Sequence, residues 1–448
     1  MSTLKSLSAA LFSAGILVAA LPAAHADEIA DLKSAVQQLQ AEVQQLKAQQ
    51  TQTAQQTAAT QKMVAEKPAS TTPIWNPNDP LRLGGKDNFV KLYGDVDEFG
   101  AYLHSSSGAN LTSLYDGALL RSRLGLTGSR VVAPDYAMNF VLEQSLDFRN
   151  GGNPGAGRLF DRQAWAGVQT PVGEFRVGRQ NTIAFFDGGK IDFTSRTLGS
   201  VVNAFGVPSR FDRDISYSSP RMAGLHLQAH YALSSANGST FNSNGSTVGS
   251  NGAVYQLGAD YTNGPIDVGY NGLWGNAPAG ATYNTKAEYQ NLYADYNYGR
   301  GKVYLTYVRS NVGPNSGFSN IGGAYSAATG LTTPPLTGTG AGINNYYNIY
   351  QISADYDVTE ALRLGALYGQ IRSSTVSNAG AKGWAAGAFY TGYKSTTLYA
   401  LVNGLSNDSN AAFMEAGSSG PLNSPGFSQA DLTGKRITGI EAGFLYKF

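Results

Sequence analysis

The chain contains 4 His and no Cys, and two of the histidines are four residues apart. His226 and His230 belong to an alternating segment, in which both point to the same side of a strand about 13 Å apart. That separation is too large for the two imidazoles to bind one metal ion. No nucleophile motif accompanies them. The sequence therefore predicts no metal site, no cofactor and no enzyme activity.

Basic side chains are the second group that could do chemistry. Arg121 and Arg123 alternate with the apolar Leu120, Leu124 and Leu126. On a strand the two arginines therefore share the face opposite the leucines. Arginines gathered on one face are costly unless carboxylates or water lie opposite them. The pattern indicates charged groups that project into water on one face of a sheet whose other face is apolar.

The C-terminal segment indicates what covers the apolar face. In TGIEAGFLYKF, alternation places Phe444, Tyr446 and Phe448 on one face and Glu441 and Lys447 on the other. A strand face with three aromatic rings needs cover, and lipid provides it in a transmembrane barrel. The ending therefore predicts an outer-membrane β-barrel with a polar lumen.

The same alternation recurs along the chain from Phe89 onward. In the first such segment, Val90 and Leu92 alternate with Tyr93 and Asp95, which should face the lumen. Tight turns alternate with long Gly/Ser/Asn-rich stretches, and counting segments gives about sixteen strands. We expect an all-β antiparallel transmembrane barrel, residues 89–448, with both ends on the periplasmic side.

Composition supports this class of protein. Charged residues make up 14% of the chain, and 54 Gly, 26 Tyr and 19 Phe favour strands and tight turns over a helical enzyme core. The formal net charge is +1 and the pI is about 7.8. No overall field exists to attract nucleic acid, so nucleic acid is not an expected partner.

The N-terminus has the pattern of an exported protein. Lys5 precedes an apolar run that ends before Ala24-His25-Ala26, which predicts a signal peptide over residues 1–26. The alternative is an uncleaved membrane anchor, although the run is shorter than the roughly 20 residues that a spanning helix needs.

Residues 27–64 carry apolar side chains at alternating spacings of three and four. This spacing predicts a short periplasmic coiled coil, or alternatively a single amphipathic helix on another surface. A Pro-rich segment, residues 65–88, should link it to the barrel. The predicted core positions of the coil are Ile29, Leu32, Val36, Leu39, Val43 and Leu46.

Five motifs in order resemble the general porin family of Gram-negative bacteria. They are LYGDVD at Leu92, SRLGLTG at Ser122, DRQAWAGVQTPVGEFRVGRQNT at Asp161, RDISYSSPRMAGL at Arg213 and YKSTTLYALVNG at Tyr393. The resemblance implies a sixteen-stranded trimeric diffusion channel whose third long loop folds inward. The N-terminal coil is similar to the extension of DcaP-like channels.

The resemblance also implies a set of pore residues. Arg123, Arg162, Arg210 and Arg213 match arginines that form a basic ladder at the family's constriction, and Arg121 joins them by strand parity. The opposing inward loop would be residues 181–209, which carry Asp187 and Asp192. Alternatively, the arginines brace this loop through salt bridges. Because arginines outnumber carboxylates, a mild anion preference is expected.

The expected function is passive diffusion of small hydrophilic solutes and ions. Alternatives are a substrate-selective channel for small organic acids, a tether between membrane and cell wall, or a barrel enzyme. Expected partners are two further copies in a homotrimer, outer-membrane lipid and lipopolysaccharide. The resemblance further implies that the barrel assembly machinery reads Tyr446 and Phe448.

Overall fold

A computed structural model describes residues 26–65, 75–76, 79–152, 158–233, 253–275, 287–310, 346–374, 377–422 and 426–448. The chain divides into two compact units, Met1–Thr72 and Pro73–Phe448. The predicted signal peptide lies outside the described residues except for Ala26, where the first helix begins.

The first unit contains one long helix, α1, at Ala26–Ala65. Of the predicted coil core, Val36, Leu39, Val43 and Leu46 have exposed side chains on this helix. The side chains of Ile29 and Leu32 lie outside the described set. The helix agrees with the expected helical segment, and its association into a coiled coil stays a prediction. Among the described residues, no helix is both long and apolar enough to cross a membrane.

The second unit is a closed antiparallel barrel. Its described strands are β3 Phe89–Ser105, β4 Asn110–Asp116, β5 Arg123–Ala133, β6 Tyr136–Ser145, β7 Gln163–Thr170, β8 Gly173–Asn181, β9 Arg210–Ser218, β10 Leu225–Ala232, β11 Val254–Asn263, β12 Ile266–Gly275, β13 Ala287–Asn297, β14 Lys302–Ser310, β15 Tyr347–Asp357, β16 Leu362–Ser373, β17 Ala381–Tyr393, β18 Thr396–Asn407 and β21 Arg436–Lys447.

Strands β4 and β5 share one position in the wall, since both pair with β3, which is the longest strand. The described barrel therefore has 16 strand positions, and the predicted fold class is confirmed. Strand β21 pairs with β3 from Lys447↔Asp95 to Ile437↔Ser105 and closes the barrel.

The C-terminal residue completes this closure. Phe448 N–H donates to Gly94 O at 3.0 Å, and Gly94 N–H donates to Phe448 O at 3.2 Å. A Cβ at position 94 would overlap the Phe448 ring, so only glycine permits the close approach. The ring stacks on Tyr446 with centroids 6.2 Å apart.

The alternation predicted for the strands is present. On β21, Ile440 and Phe444 are 61% and 41% exposed on the outer face, whereas Glu441 is 0% exposed on the inner face. On β3, the inward Asp95 and Asp97 are buried. The outer face is apolar and the lumen is charged, as a transmembrane barrel requires.

The C-terminal part of the predicted linker forms two strands. Within residues 65–88, β1 at Trp75–Asn76 pairs with β2 at Asp79–Gly84. Strand β2 also pairs with the start of β3. The hairpin between β2 and β3 forms because Gly84 adopts a φ of 101° and Gly85 N–H donates to Asn88 O at 2.8 Å.

Connections at one end of the barrel are short, and most at the other end are long. The short connections include residues 171–172 and 264–265, and both chain ends of the barrel lie at this short-turn end. Shorter elements occur in two long loops. They are α2 Ile183–Phe186, a 3₁₀ helix Asp187–Lys190, α3 Val201–Phe205, β19 Ala416–Gly417, β20 Gly420–Pro421 and α4 Gln429–Leu432.

The connection between β8 and β9, residues 182–209, folds into the lumen and is called the inward loop below. Its backbone N–H groups donate to inward side chains of the far wall. Ile183 N–H donates to Gln256 at 3.0 Å, and Phe193 N–H donates to Ser353 at 3.0 Å. The loop thus lies against β11 to β17. Its residues are those that the resemblance gave as the inward loop.

Small residues of the far wall make this close packing possible. A Cβ at Gly365 of β16 would overlap the Phe193 ring, and a Cβ at Gly383 of β17 would meet Val201 at 2.6 Å. These glycines let buried apolar side chains of the inward loop rest on the strand backbone. The fold thereby fixes the loop and leaves the opposite wall free to face the lumen.

Candidate functional site

The site is built around a break in the wall between β4 and β5. There the Asp97 carboxylate accepts hydrogen bonds from the N–H groups of Leu119 and Leu120, both at 2.7 Å, and from Tyr399 OH at 2.5 Å. Gly117, with a φ of 76°, begins the turn. At the break the chain departs from the strand register, and the side chains of Arg121 and Arg123 point into the lumen.

Arg123 lies between two carboxylates of the same wall. Its Nε is 3.1 Å from Asp95 Oδ2, and its Nη1 is 3.6 Å from Glu143 Oε2. Tyr93 OH donates to Glu143 Oε2 at 2.9 Å. The predicted residues Tyr93, Asp95 and Arg123 are therefore brought together.

Arg162 is the most buried member of the group, at 1% exposure. Its Nε donates to Glu143 Oε1 at 2.7 Å. Its charge lies close enough to Arg121, Arg123 and Arg210 to repel each of them. Burial, followed by that repulsion, lowers the pKa of Arg121, which stays charged because the ordinary arginine pKa is above about 12.

A further arginine joins from β8. Arg179 Nη1 donates to Asp212 Oδ1 at 2.7 Å, and Arg158 Nη1 reaches the same oxygen at 2.8 Å. Arg179 interacts electrostatically with Arg210 as well. The set that lies together on this wall is called the arginine cluster and comprises Arg121, Arg123, Arg162, Arg179 and Arg210.

Several guanidinium groups of the arginine cluster are incompletely paired. Buried N–H groups without a hydrogen-bond acceptor among the described residues are Arg121 Nε, Arg162 Nη2, and Arg210 Nε and Nη2. Carboxylates of the same wall, such as Asp95, Glu143, Asp161 and Asp212, offset part of the positive charge. The guanidinium groups whose buried N–H groups lack an acceptor concentrate positive charge on this side of the lumen.

The inward loop meets the arginine cluster with an aromatic ring. The Arg210 guanidinium lies 4.8 Å from the centre of the Phe185 ring, and Arg196 of the loop lies 4.7 Å from the same ring. Phe185 therefore contacts both cations by its π-face. Burial lowers the pKa of Arg196.

The prediction that Asp192 faces the arginines is wrong. This residue is 1% exposed. Its carboxylate accepts hydrogen bonds from the loop and from the far wall. It accepts from Thr194 N, Thr194 Oγ1, Arg196 N, Ser200 Oγ and Gln351 Nε2 at 2.6 to 2.9 Å. A buried carboxylate with this many donors sets the loop conformation.

Asp187 is likewise turned away from the arginine cluster. Its Oδ2 accepts from Asn271 Nδ2 at 2.8 Å on β12, and burial raises its pKa while Lys190 opposes that rise. Lys190 Nζ is 3.3 Å from Asp260 Oδ2 and 3.5 Å from Asp267 Oδ2. The acidic residues on this side are called the aspartate wall and comprise Asp187 of the inward loop and, on strands β11 to β13 behind it, Asp260, Asp267 and Asp295.

Arg213 is not brought into the cluster. It is exposed, has a φ of 53°, and lies where β9 bulges against β8. No salt bridge to it occurs among the described residues. The bulge places two residues of β9 opposite one residue of β8, so Asp212 and Arg213 do not follow simple alternation.

The same bulge explains why sequence reasoning missed Arg179. Glu174 and Arg176 face the lumen on β8, and strict alternation would turn Arg179 to the outside. Gly178 adopts a φ of 131° at the register shift, which returns Arg179 to the lumen. The signal available in the sequence was the glycine within the strand.

The two strand histidines pair with separate aspartates. His226 Nδ1 is 2.9 Å from Asp260 Oδ1 and its Nε2 is 2.9 Å from Ser218 Oγ, whereas His230 Nδ1 is 2.7 Å from Asp214 Oδ2. Within the described ranges, no group of three or more His, Asp or Glu side chains is arranged to hold a metal ion.

Comparison with known proteins connects this geometry to a family. A family model described as Gram-negative porin matches residues 84–410. An outer membrane porin protein of Bordetella pertussis is 28% identical over 246 residues, which cover 52% of this chain and 62% of that protein. The chain thus spans less than two thirds of that relative's length.

Solved structures show the same barrel. An anion-selective porin from Comamonas acidovorans has a TM-score of 0.61 at 20% identity, covering 81% of this chain and 100% of that chain. The outer membrane channel DcaP of Acinetobacter baumannii has a TM-score of 0.51 at 14% identity, covering 84% of this chain and 100% of that chain. At these identities the likeness concerns the fold alone.

Proposed function

Because the chain belongs to the Gram-negative porin family and lies in the outer membrane, we propose that it is a passive diffusion channel for small hydrophilic solutes with a mild preference for anions. The observation that carries the proposal is the arginine cluster, in which Arg121, Arg162 and Arg210 keep buried guanidinium nitrogens without an acceptor among the described residues. A related solved structure is described as anion-selective, which agrees with this proposal.

The selectivity follows from the position of the charges. Lumen arginines lower the energy of a nearby anion and raise that of a cation by about 1–4 kcal/mol each before screening. The aspartate wall lies behind the inward loop and is offset by Lys190, Lys302 and Arg221. A permeating ion therefore meets the arginine cluster more directly than the aspartate wall.

Catalysis is the weaker candidate for this lumen. Ser218, His226 and Asp260 do form a hydrogen-bonded row, which is the order used for nucleophilic hydrolysis. Glu174, however, is the cross-strand neighbour of Ser218 on the lumen face. An oxyanion formed at Ser218 would meet that carboxylate instead of hydrogen-bond donors.

We further propose that the channel is a homotrimer whose outer face contacts lipid and lipopolysaccharide. Exposed apolar side chains such as Tyr102 and Leu114 on β3 and β4 support such contacts. Tyr446 and Phe448 remain the proposed signal for the barrel assembly machinery. Native mass measurement in mild detergent tests the trimer, and a monomer would contradict it.

Single-channel recording tests the selectivity. Replacing Arg121 and Arg210 by Gln removes two lumen charges without breaking any described salt bridge to a carboxylate. In a gradient of KCl, the reversal potential should shift toward cations. The control is Arg300→Gln, in the exposed turn between β13 and β14. An unchanged reversal potential at low salt in the double variant would contradict the anion preference.

A further inference from the structure

A recess of about 340 Å³ opens in the lumen beside the tip of the inward loop. Thr194 and Ser195 of the loop form one side, and the break between β4 and β5 forms another. The turn between β15 and β16 borders the recess at the short-turn end, which is the periplasmic end in outer-membrane barrels. A solute that has passed the loop therefore meets this recess next.

Part of the recess wall is apolar. Leu119 and Leu120 line it from the break, and Phe389 and Leu445 line it from β17 and β21. The Phe389 ring is held edge-on by Phe193 of the inward loop, with centroids 5.9 Å apart at 73°. An apolar group placed here would leave water, which is favourable.

A cation lies beside this apolar wall. Lys447 lines the recess and is the register partner of Asp95 across β21 and β3. Asp95 is engaged by Arg123 at 3.1 Å, and no salt bridge within 4 Å to Lys447 occurs among the described residues. Lys447 therefore extends the positive side of the lumen from the arginine cluster into the recess.

The remaining charged residues make the two sides of the recess electrostatically different. Arg363 is bonded to Asp355 at 3.0 Å and covers Phe389, with its guanidinium 4.8 Å from the ring centre. Asp357 and Glu360 line the recess from the turn between β15 and β16. A bound anion is therefore attracted toward Lys447 and repelled from that turn.

We propose that this recess binds small carboxylates that carry an apolar body, such as an aryl or branched alkyl group. The carboxylate lies at Lys447, and the apolar body packs on Leu120 and Phe389. The volume is that of a small ligand pocket, which starts at about 300 Å³. This inference rests on the proposed anion-preferring channel and assigns it a class of preferred solute.

Ion-current block by phenylacetate tests the site, with acetate as the probe that lacks the apolar body. The full chain is refolded in detergent, checked for heat-modifiable mobility, and inserted into planar bilayers in KCl. Phenylacetate should half-block the current at a concentration about tenfold lower than acetate, since a tenfold change corresponds to about 1.4 kcal/mol.

Two variants separate the two halves of the site. Lys447→Gln should raise the half-blocking concentration of phenylacetate about tenfold through the lost charge. Leu120→Asn should raise it about fivefold while leaving acetate unchanged, because only the apolar contact is lost. The matched control is Lys394→Gln, an exposed lysine in the turn between β17 and β18 that does not line the recess.

The proposed binding site would be overturned if phenylacetate and acetate block the wild-type channel at equal concentrations. It would also be overturned if both variants are blocked by phenylacetate in the same way as the wild-type channel. The wild-type comparison decides even when a variant fails to refold. The reversal potential in KCl, measured in the same bilayers, reports on the anion preference separately. A cation-preferring wild-type channel would overturn the proposed function, whereas anion preference without selective phenylacetate block would overturn the recess alone.

Discussion

The arginine cluster and the aspartate wall face each other across one lumen, yet they are neutralised differently. The arginine cluster is offset by carboxylates of its own strands, such as Glu143 and Asp212, and keeps unpaired N–H groups. The aspartate wall receives a cation from the inward loop, Lys190. The arginine cluster thus acts on permeating solutes, and the aspartate wall holds the inward loop.

This difference separates selectivity from pore size. The arginine cluster takes its counter-ions from its own wall, and the inward loop contacts it through the Phe185 ring. A wall that needs a loop cation fixes the loop position in return. Variants that release the loop should therefore change conductance, variants that change lumen charge should change the reversal potential, and the largest effect should come from the residue that holds the loop itself.

Asp192→Ala should have the largest effect. The substitution removes the acceptor of five hydrogen bonds at 2.6 to 2.9 Å, including one from Gln351 of the far wall. We expect the inward loop to lose about 3 kcal/mol or more of local stability, and conductance to rise as the loop loosens. Limited proteolysis within residues 182–209 and single-channel conductance measure these changes.

The control for this variant is Asp431→Ala. Asp431 also accepts hydrogen bonds from a loop serine and its backbone, Ser428 Oγ at 2.6 Å and Ser428 N at 2.9 Å, but lies outside the inward loop. It should leave conductance unchanged. If Asp192→Ala channels conduct like wild type and resist protease equally, then Asp192 does not hold the loop.

Glu143→Gln should produce the next largest effect. Glu143 is 2% exposed and bonded to Arg162, so its replacement leaves buried cations without their counter-ion. We expect a destabilisation of about 3 kcal/mol and a stronger anion preference in the reversal potential. Glu174→Gln, which touches Arg176 instead of the arginine cluster, is the control. A shift toward cations would show that the cluster does not set selectivity.

Strand alternation predicted the barrel and several pore residues because burial on each face has a period of two. Tyr93, Asp95 and Arg123 lie on regular strands, where Asp95 is the register partner of Arg123, and their role at the constriction stays a prediction. Arg179 and Arg213 flank a bulge, where one extra residue reverses the alternation, so parity fails there.

The orientation of loop side chains was beyond sequence reasoning for a different reason. Asp187 begins a short 3₁₀ helix and Asp192 follows that helix in the loop. The directions of their side chains are set by distant partners, Asn271 on β12 and Gln351 on β15. Local sequence does not encode such contacts. Glycines of the far wall, such as those at 365 and 383 that accommodate Phe193 and Val201, were a signal that the loop would lie on that wall.

Lys190→Met should have a smaller effect than the two carboxylate variants. Its side chain is 26% exposed, and partly exposed ion pairs contribute less than about 1 kcal/mol. Without the ammonium, Asp260 and Asp267 lose a loop cation, and the reversal potential should shift modestly toward cations. Lys302→Met removes the β14 cation that pairs with Asp295 of β13, without touching the loop. An equal shift in both variants would mean that the loop contact has no special role.

The smallest expected effect is a pH dependence carried by Asp187, which belongs to the aspartate wall. Burial raises its pKa, Asp260 raises it further, and Lys190 and the hydrogen bonds from Asn271 and Tyr293 lower it. Ionisation therefore opposes folding of the loop. The stabilisation from protonated Asp187 is complete below the pKa of the unfolded chain and is lost as pH rises through the raised folded pKa.

As pH falls, Asp187 should lose its charge above the ordinary aspartate value of about 3.9, while the arginines stay charged. The anion preference should then increase slightly between pH 7 and about 4.5. Asp187→Asn should reduce this dependence, whereas Asp431→Asn should retain it, because hydrogen bonds from Ser107 and Ser428 lower the pKa of Asp431. Reversal potentials measured across this range decide the point. An identical slope in Asp187→Asn and wild type would assign the titration to other carboxylates, and the aspartate wall would then differ from the arginine cluster in position alone.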